Sequence, residues 1–90
     1  MKKLLVKDIL KVTGGKLVIG DCEEVLENFS KDTRQIKEND TYVAIKGANF
    51  DGNKFWKQAL EKGAKAVIVQ DIDFSKEDLT KYKNKIIIKT

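Results

Sequence analysis

Two apolar runs, at 41–45 (TYVAI) and 64–69 (AKAVIV), enclose a polar loop and a helix pattern within about thirty residues. This arrangement constrains the chain more than any other feature. In the first run Tyr42 and Ala44 share one side and Val43 and Ile45 the other, because successive strand residues alternate faces. Apolar residues on both sides predict an interior strand covered on both faces. The run stops at Lys46-Gly47, and a loop at 48–53 carries Asn49, Asp51, Gly52 and Asn53. Residues 53–62 then place Phe55, Trp56, Ala59 and Leu60 on one helical stripe, with Gly63 just past the end. Asp51 suits the exposed amides and positive dipole at the start of that helix. Strand, helix and strand in this span predict a right-handed βαβ unit with parallel strands. In open α/β sheets ligands settle beyond the carboxyl ends of the strands. The glycine-bearing loop after the first strand is therefore the place to look for function.

The flanking sequence extends the same architecture. Val6, Ile9, Leu10 and Thr13 recur at helical spacing, and Gly14-Gly15 ends that helix. Leu5, before it, offers no side-chain cap. Residues 16–19 are a short strand, and 25–29 a second, ambiguous one because its alternation is imperfect. Ser75 is a candidate N-cap for a helix over 76–82, with Asp78 as an imperfect capping box. Ile86-Ile87-Ile88 is a further β-branched strand. The expected fold is α/β: one domain over 1–90, with a small mixed, partly parallel sheet and flanking helices. The strands nearest its middle are expected at 41–46 and 66–70. The end of the chain directly after a strand reads as a fragment of a longer protein.

Composition narrows the chemistry. Eighteen basic residues lie dispersed among fourteen acidic ones, giving a net charge of +4 without a basic block. That distribution argues against nucleic acid and is better matched to a nucleotide or phosphate. There is no histidine, which removes the commonest general base and metal ligand. The single cysteine, Cys22, excludes an internal disulfide and has no histidine to activate it. The opening apolar stretch is too short for a signal peptide, and nothing approaches transmembrane length. These features predict a cytoplasmic protein with no membrane partner. No nucleophile–base pair, metal-site spacing or GxxxxGK[ST] phosphate loop is present, so no catalytic residue is expected in these ninety.

Binding is the better expectation. Thr33 offers a hydroxyl, and Arg34 a planar fork suited to phosphate or carboxylate, with Asp32 and Asp51 as competing partners. Gly47 and Gly52 allow backbone amides to approach an anion closely, or serve simply as turns. Phe55 and Trp56 fall on the core stripe of the helix rather than forming a stacking platform. Lys46, at the strand end, reads either as a solvated terminus or as a phosphate contact.

The segment DTRQIKENDTYVAIKGANFDGNKFWKQALEKGAKAVIV resembles the N-terminal domain of the Mur ligases. The likeness lies in Asp32-Thr33-Arg34, Asn39-Asp40, the strand 41–47 ending in Gly47, Asp51-Gly52-Asn53-Lys54-Phe55, and 63–69. It covers about forty central residues in one order, and the opening Thr13-Gly14-Gly15-Lys16-Leu17 is also similar. Within the family, Asn49-Phe50-Asp51-Gly52 and that opening most resemble the ligase adding D-alanyl-D-alanine to UDP-N-acetylmuramoyl-tripeptide. The alternative is the ligase adding the third peptide residue, meso-diaminopimelate or lysine. The resemblance implies a UDP-N-acetylmuramoyl-peptide partner, further ligase domains, and ATP with Mg2+ bound by those domains rather than this one. It places uridine contacts at Lys31, Thr33, Arg34, Ala48, Asn49 and Phe50; Lys46 and Gly47 complete the candidate site. Asn53 stands where the family usually has histidine. Asparagine donates and accepts hydrogen bonds but carries no charge, and its expected part is to help begin the helix. The rival from another class is a stand-alone module that recognises a protein or another anion through the same loop.

Overall fold

A computed structural model of the chain describes residues 3–48, 51–70 and 72–90. β1 (Lys3–Leu5) runs directly into α1 (Val6–Thr13). The helix starts at Leu5 with no side-chain cap, as its sequence predicts. Its first amides are satisfied instead from a neighbouring segment: Val6 N–H donates to the Glu24 carbonyl at 2.9 Å and Lys7 N–H to that of Cys22 at 3.0 Å. Gly14, at φ +68°, closes the other end in the left-handed conformation.

The next strands are β2 (Lys16–Ile19), β3 (Val25–Glu27) and β4 (Phe29–Ser30). The single strand expected at 25–29 is thus two. Asn28 breaks it with φ +57°, a conformation asparagine tolerates better than most residues. The break sends β3 to pair antiparallel with β1 and β4 into a different sheet. β1 itself is not anticipated by the sequence.

The main sheet adds β5 (Thr41–Val43), β6 (Ala66–Val69) and β7 (Ile86–Lys89) in the order β2-β7-β6-β5-β4. β4, β5, β6 and β7 are mutually parallel, and β2 closes one edge antiparallel. The mixed, partly parallel α/β sheet expected from sequence is the one found. Between β5 and β6 the chain forms a 3-10 turn (Gly52–Phe55) and then α2 (Trp56–Glu61).

The helix expected over 76–82 is replaced by two 3-10 turns, Phe74–Lys76 and Thr80–Tyr82. Asp73 accepts from the Ser75 amide at 2.9 Å and Asp78 from the Thr80 amide at 3.1 Å. These local bonds compete with helix formation in a segment too short to be helical by propensity alone.

Alternation along β6 and β7 divides the core. Val67, Val69 and Ile87 pack with Tyr42, Trp56, Ala59 and Leu60 on the α2 side. Ala66, Ile86 and Ile88 pack with Val6, Ile9 and Leu26 on the other. Each fully buried side chain of this size contributes about 1.5–3 kcal/mol. Coverage of the expected interior strand is uneven. Tyr42 and Thr41 are fully buried, but β5 ends at Val43, and Ile45, beyond it, is 46% exposed.

Candidate functional site

β4 and β5 are parallel neighbours, so their carboxyl ends open on the same side. After β4, the Ser30 hydroxyl accepts from the Asp32 amide at 3.2 Å. Asp32 then caps a 3-10 turn, Thr33–Gln35, accepting from the Arg34 amide at 2.9 Å. The same carboxylate takes the Arg34 guanidinium in a fork, from Nε at 3.1 Å and Nη2 at 3.0 Å. Asp32, not Asp51, is therefore the partner of Arg34. The guanidinium, followed by the Arg34 amide, holds the Asp32 carboxyl below its usual pKa. Lys62, just past α2, donates from Nζ to the Thr33 carbonyl at 3.0 Å and ties this turn to the helix.

After β5, Ala44 N–H donates to the Ile68 carbonyl at 2.9 Å, which carries the pairing with β6 one residue further. Lys46 and Asp51 then form an antiparallel bridge, and Gly52 N–H donates to the Ile45 carbonyl at 2.8 Å. Lys46 and Asp51 are therefore held side by side at the base of the loop after β5. Tyr42 reinforces the base from below: its buried hydroxyl donates to the Gly52 carbonyl at 2.8 Å. Burial, aided by the charges of Asp32 and Asp51, raises the Tyr42 pKa and keeps it a donor. Glycine is required here by space. A Cβ at Gly52 would lie 2.9 Å from Ile45 N, 2.9 Å from the Tyr42 hydroxyl and 3.0 Å from Ile45 O. Asp51 accepts from the Asn53 amide at 3.0 Å, as expected of the residue that begins the helical segment. Asn53 adds a role the sequence did not disclose. Its Nδ2 donates to Asp51 at 2.8 Å, and its Oδ1 accepts from Gln70 N–H, at the end of β6, at 2.7 Å.

The turn after β4 and the loop after β5 face one another across a cavity of about 660 Å³. Its lining is Lys31, Asp32, Thr33, Arg34, Ile45, Gly47, Phe55 and Gln58. Of the residues singled out from sequence, Lys31, Thr33, Arg34 and Gly47 are brought together here. Lys46 and Ala48 are exposed and stand outside the lining, while Asn49 and Phe50 lie outside the described residues. Asp32, Ile45, Phe55 and Gln58 join from outside the expected set. One of these had a readable signal: Asp32 carries the side chain that caps the turn two residues on. Trp56 is core, as expected, with edge-on contacts to Phe74 and Tyr82. Phe55 is half-buried: it packs on the core and also forms part of the cavity wall.

The lining combines two cationic side chains, one of them paired with the Asp32 carboxylate that also lines it, a hydroxyl, a carboxamide and two apolar walls. That combination suits a ligand with a flat polar ring and an anionic group. Among the described residues no group of three or more His, Cys, Asp or Glu could hold a metal ion. No helix among the described residues is long and apolar enough to cross a membrane.

Residues 25–89 match a family described as Mur ligase family, catalytic domain. The chain is 44% identical over 75 residues to UDP-N-acetylmuramoyl-L-alanyl-D-glutamate–2,6-diaminopimelate ligase of Clostridium tetani, covering 83% of this chain and 15% of that protein. It is 35% identical over 77 residues to the ligase of the same name from Clostridium perfringens, covering 86% and 16%. Among solved structures, MurF from Acinetobacter baumannii aligns over all of this chain and 18% of its own, with a TM-score of 0.73 and 16% identity. The MurF ligase from Thermotoga maritima in complex with ADP aligns over 57% of this chain and 12% of its own, with a TM-score of 0.50 and 33% identity. The chain thus spans about one sixth of the length of these curated relatives.

Proposed function

The chain belongs to the Mur ligase family, and from that premise we propose that it is the N-terminal, UDP-precursor-binding domain of a ligase that extends the peptide of UDP-N-acetylmuramoyl-peptide. The observation that carries this reading is the cavity beyond the carboxyl ends of β4 and β5, where Thr33, Arg34 and Gly47 converge with Phe55 and Gln58. In this reading the Thr33 hydroxyl and the Gln58 carboxamide hydrogen-bond the uracil or ribose. Ile45 and Phe55 supply the apolar walls. Lys31 and Arg34 face the diphosphate, and Gly47 closes the wall on the β5 side. Arg34 commits two of its N–H groups to Asp32 and retains others for an anion. ATP and Mg2+ are assigned to the remaining domains of the ligase: the sequence here has no GxxxxGK[ST] loop, and the described residues hold no metal-holding cluster. No chemical step is assigned to this chain alone. Such a ligase would work in the cytoplasm, where its UDP-linked substrate is made.

The finer specificity favours the third-residue ligase over the D-alanyl-D-alanine-adding one. Relatives 35–44% identical over most of this chain are named as 2,6-diaminopimelate ligases. The full-length structural likeness to MurF, at 16–18% identity, concerns the fold alone. We therefore assign 2,6-diaminopimelate as the amine that the parent enzyme adds.

Thr33→Val tests the site, because it keeps the shape and removes the hydroxyl. A neutral hydrogen bond contributes on the order of 1 kcal/mol, and an unpaired partner in a closed site costs about 1–3 kcal/mol. Calorimetric titration of the parent ligase with UDP-N-acetylmuramoyl-dipeptide should show affinity weakened roughly five- to a hundred-fold, with ATP affinity unchanged. Unaltered precursor affinity in a folded variant would remove this turn from the site.

A further inference from the structure

The loop that brings Gly47 to the cavity wall is held from behind by groups that do not line the cavity. Asn53 is 6% exposed, and both ends of its carboxamide are engaged. The orientation of that amide is dictated by its partners. The Asp51 carboxylate can only accept, so it faces Nδ2; the Gln70 N–H can only donate, so it faces Oδ1. Asp51 is also the closing residue of the loop, bridged to Lys46. The carboxamide therefore couples the returning leg of the loop to the end of β6. On the other side of the same leg, Gly52 is fixed to β5 by Ile45 and Tyr42.

We propose that Asn53 is a positioning residue of the uridine cavity, fixing the returning leg of the loop after β5 by holding the Asp51 carboxylate and the Gln70 amide at once. This rests on the uridine reading. Asn53 touches no ligand; it acts through the loop it holds. Few side chains can replace it, because one donor and one acceptor are needed about one bond angle apart. A neutral imidazole provides both, with one N–H and one lone pair. A carboxylate keeps the acceptor toward Gln70 but sets a second negative charge against Asp51, where one of the two must protonate or move away. The Asn53 hydrogen bonds first, and then the charges of Lys46 and Lys54, lower the Asp51 pKa and favour its acceptor form.

The test titrates the isotope-labelled 90-residue protein with a UDP-sugar, whose diphosphate diester does not itself titrate between about pH 5 and 8. The wild type should bind equally at both ends of that range. Asn53→Asp should bind about ten-fold more weakly, equivalent to roughly 1.4 kcal/mol. Leu26→Ala is the stability control: its side chain is fully buried in the α1-side core, away from the cavity. It should lower the melting temperature at least as much and leave affinity within about two-fold. Asn53→His should bind within about three-fold of wild type at pH 8, where the imidazole is neutral. It should lose about ten-fold at pH 5, where both ring nitrogens donate and the Gln70 amide loses its acceptor. If Asn53→Asp does not fold, the histidine variant carries the same comparison between two pH values. Wild-type affinity in Asn53→Asp, an equal loss in Leu26→Ala, or a flat pH response in Asn53→His would overturn the positioning role. A wild-type protein that binds no UDP-sugar would overturn the uridine reading and this inference with it.

Discussion

Replacing Gly52 with alanine tests whether the base of the loop is as tightly closed as its geometry indicates. The new Cβ would meet two backbone atoms of Ile45 and the Tyr42 hydroxyl, all at 2.9–3.0 Å. The backbone atoms belong to a chain already paired with β6 through Ala44 and Ile68, so they have little freedom to yield. Overpacking of this kind costs about 1–3 kcal/mol. The displacement also strains the Tyr42–Gly52 hydrogen bond, for a total of about 2–3 kcal/mol. A ninety-residue domain has roughly 5–13 kcal/mol of stability in all, so this is a large fraction. Tyr42→Phe alone should cost about 1–2 kcal/mol, because it leaves the buried Gly52 carbonyl without its donor. The double variant separates the contributions. Removing the hydroxyl also removes one of the three close contacts, and the hydrogen bond can be lost only once. Tyr42→Phe/Gly52→Ala should therefore be less destabilised than the sum of the singles by about 1 kcal/mol. Urea denaturation of the four proteins measures the cycle, and for a domain of this size each kcal/mol should appear as about 4–8 °C in Tm. A Gly52→Ala variant within about 0.5 kcal/mol of wild type, or strict additivity, would refute the close packing of Tyr42, Ile45 and Gly52.

Acid should weaken the fold through its turn-capping carboxylates. Asp32, Asp51, Asp73 and Asp78 all have pKa values lowered from 3.8, chiefly by side-chain hydrogen bonds from Arg34, Asn53, Ser75 and Thr80 respectively. Depressed folded-state values mean that this stability is fully present above the ordinary carboxylate range and is lost as pH falls through the lowered values. The urea midpoint should hold steady from neutral pH to about 5 and decline below about 4; a midpoint that rises on further acidification would contradict this. Arg34→Ala should cost little stability, because its side chain is 86% exposed and solvent screens such a pair. If the guanidinium serves the diphosphate, the same variant should weaken UDP-sugar binding and flatten its salt dependence. Unchanged affinity at low salt would confine Arg34 to bracing Asp32.

The parts legible in the sequence are those that one local rule decides. Thr41–Val43 and Ala66–Val69 are β-branched or apolar runs bounded by polar turns, and α1 ends where Gly14 must adopt positive φ. The parts missed depend on distant partners. Lys3–Leu5 becomes a strand because Val25–Glu27 lies beside it, and three residues carry no periodicity of their own. Asn28 separates two strands by a single backbone angle. The segment 73–82 has helical composition, but Asp73 and Asp78 capture the amides a helix would need. At the site, the DTR turn and Gly47 were readable because small motifs specify them. Gln58 was not, because its place in the lining depends on how α2 sits against the turn that Lys62 tethers. Asn53 could be read as a helix starter, but its bond to Gln70 crosses seventeen positions of sequence that no local pattern encodes.

The central claim, that uridine is bound beyond β4 and β5, is tested most directly by mapping a UDP-sugar onto the amide resonances of the isotope-labelled protein. The account predicts saturable shifts concentrated at Lys31, Thr33, Arg34, Ile45, Gly47, Phe55 and Gln58, the residues that line the cavity. Resonances at the opposite ends of the strands, around Gly20, Lys65, Lys83 and Lys85, should stay still. Shifts concentrated at that lysine-rich end, with none at Thr33 or Gly47, would contradict it.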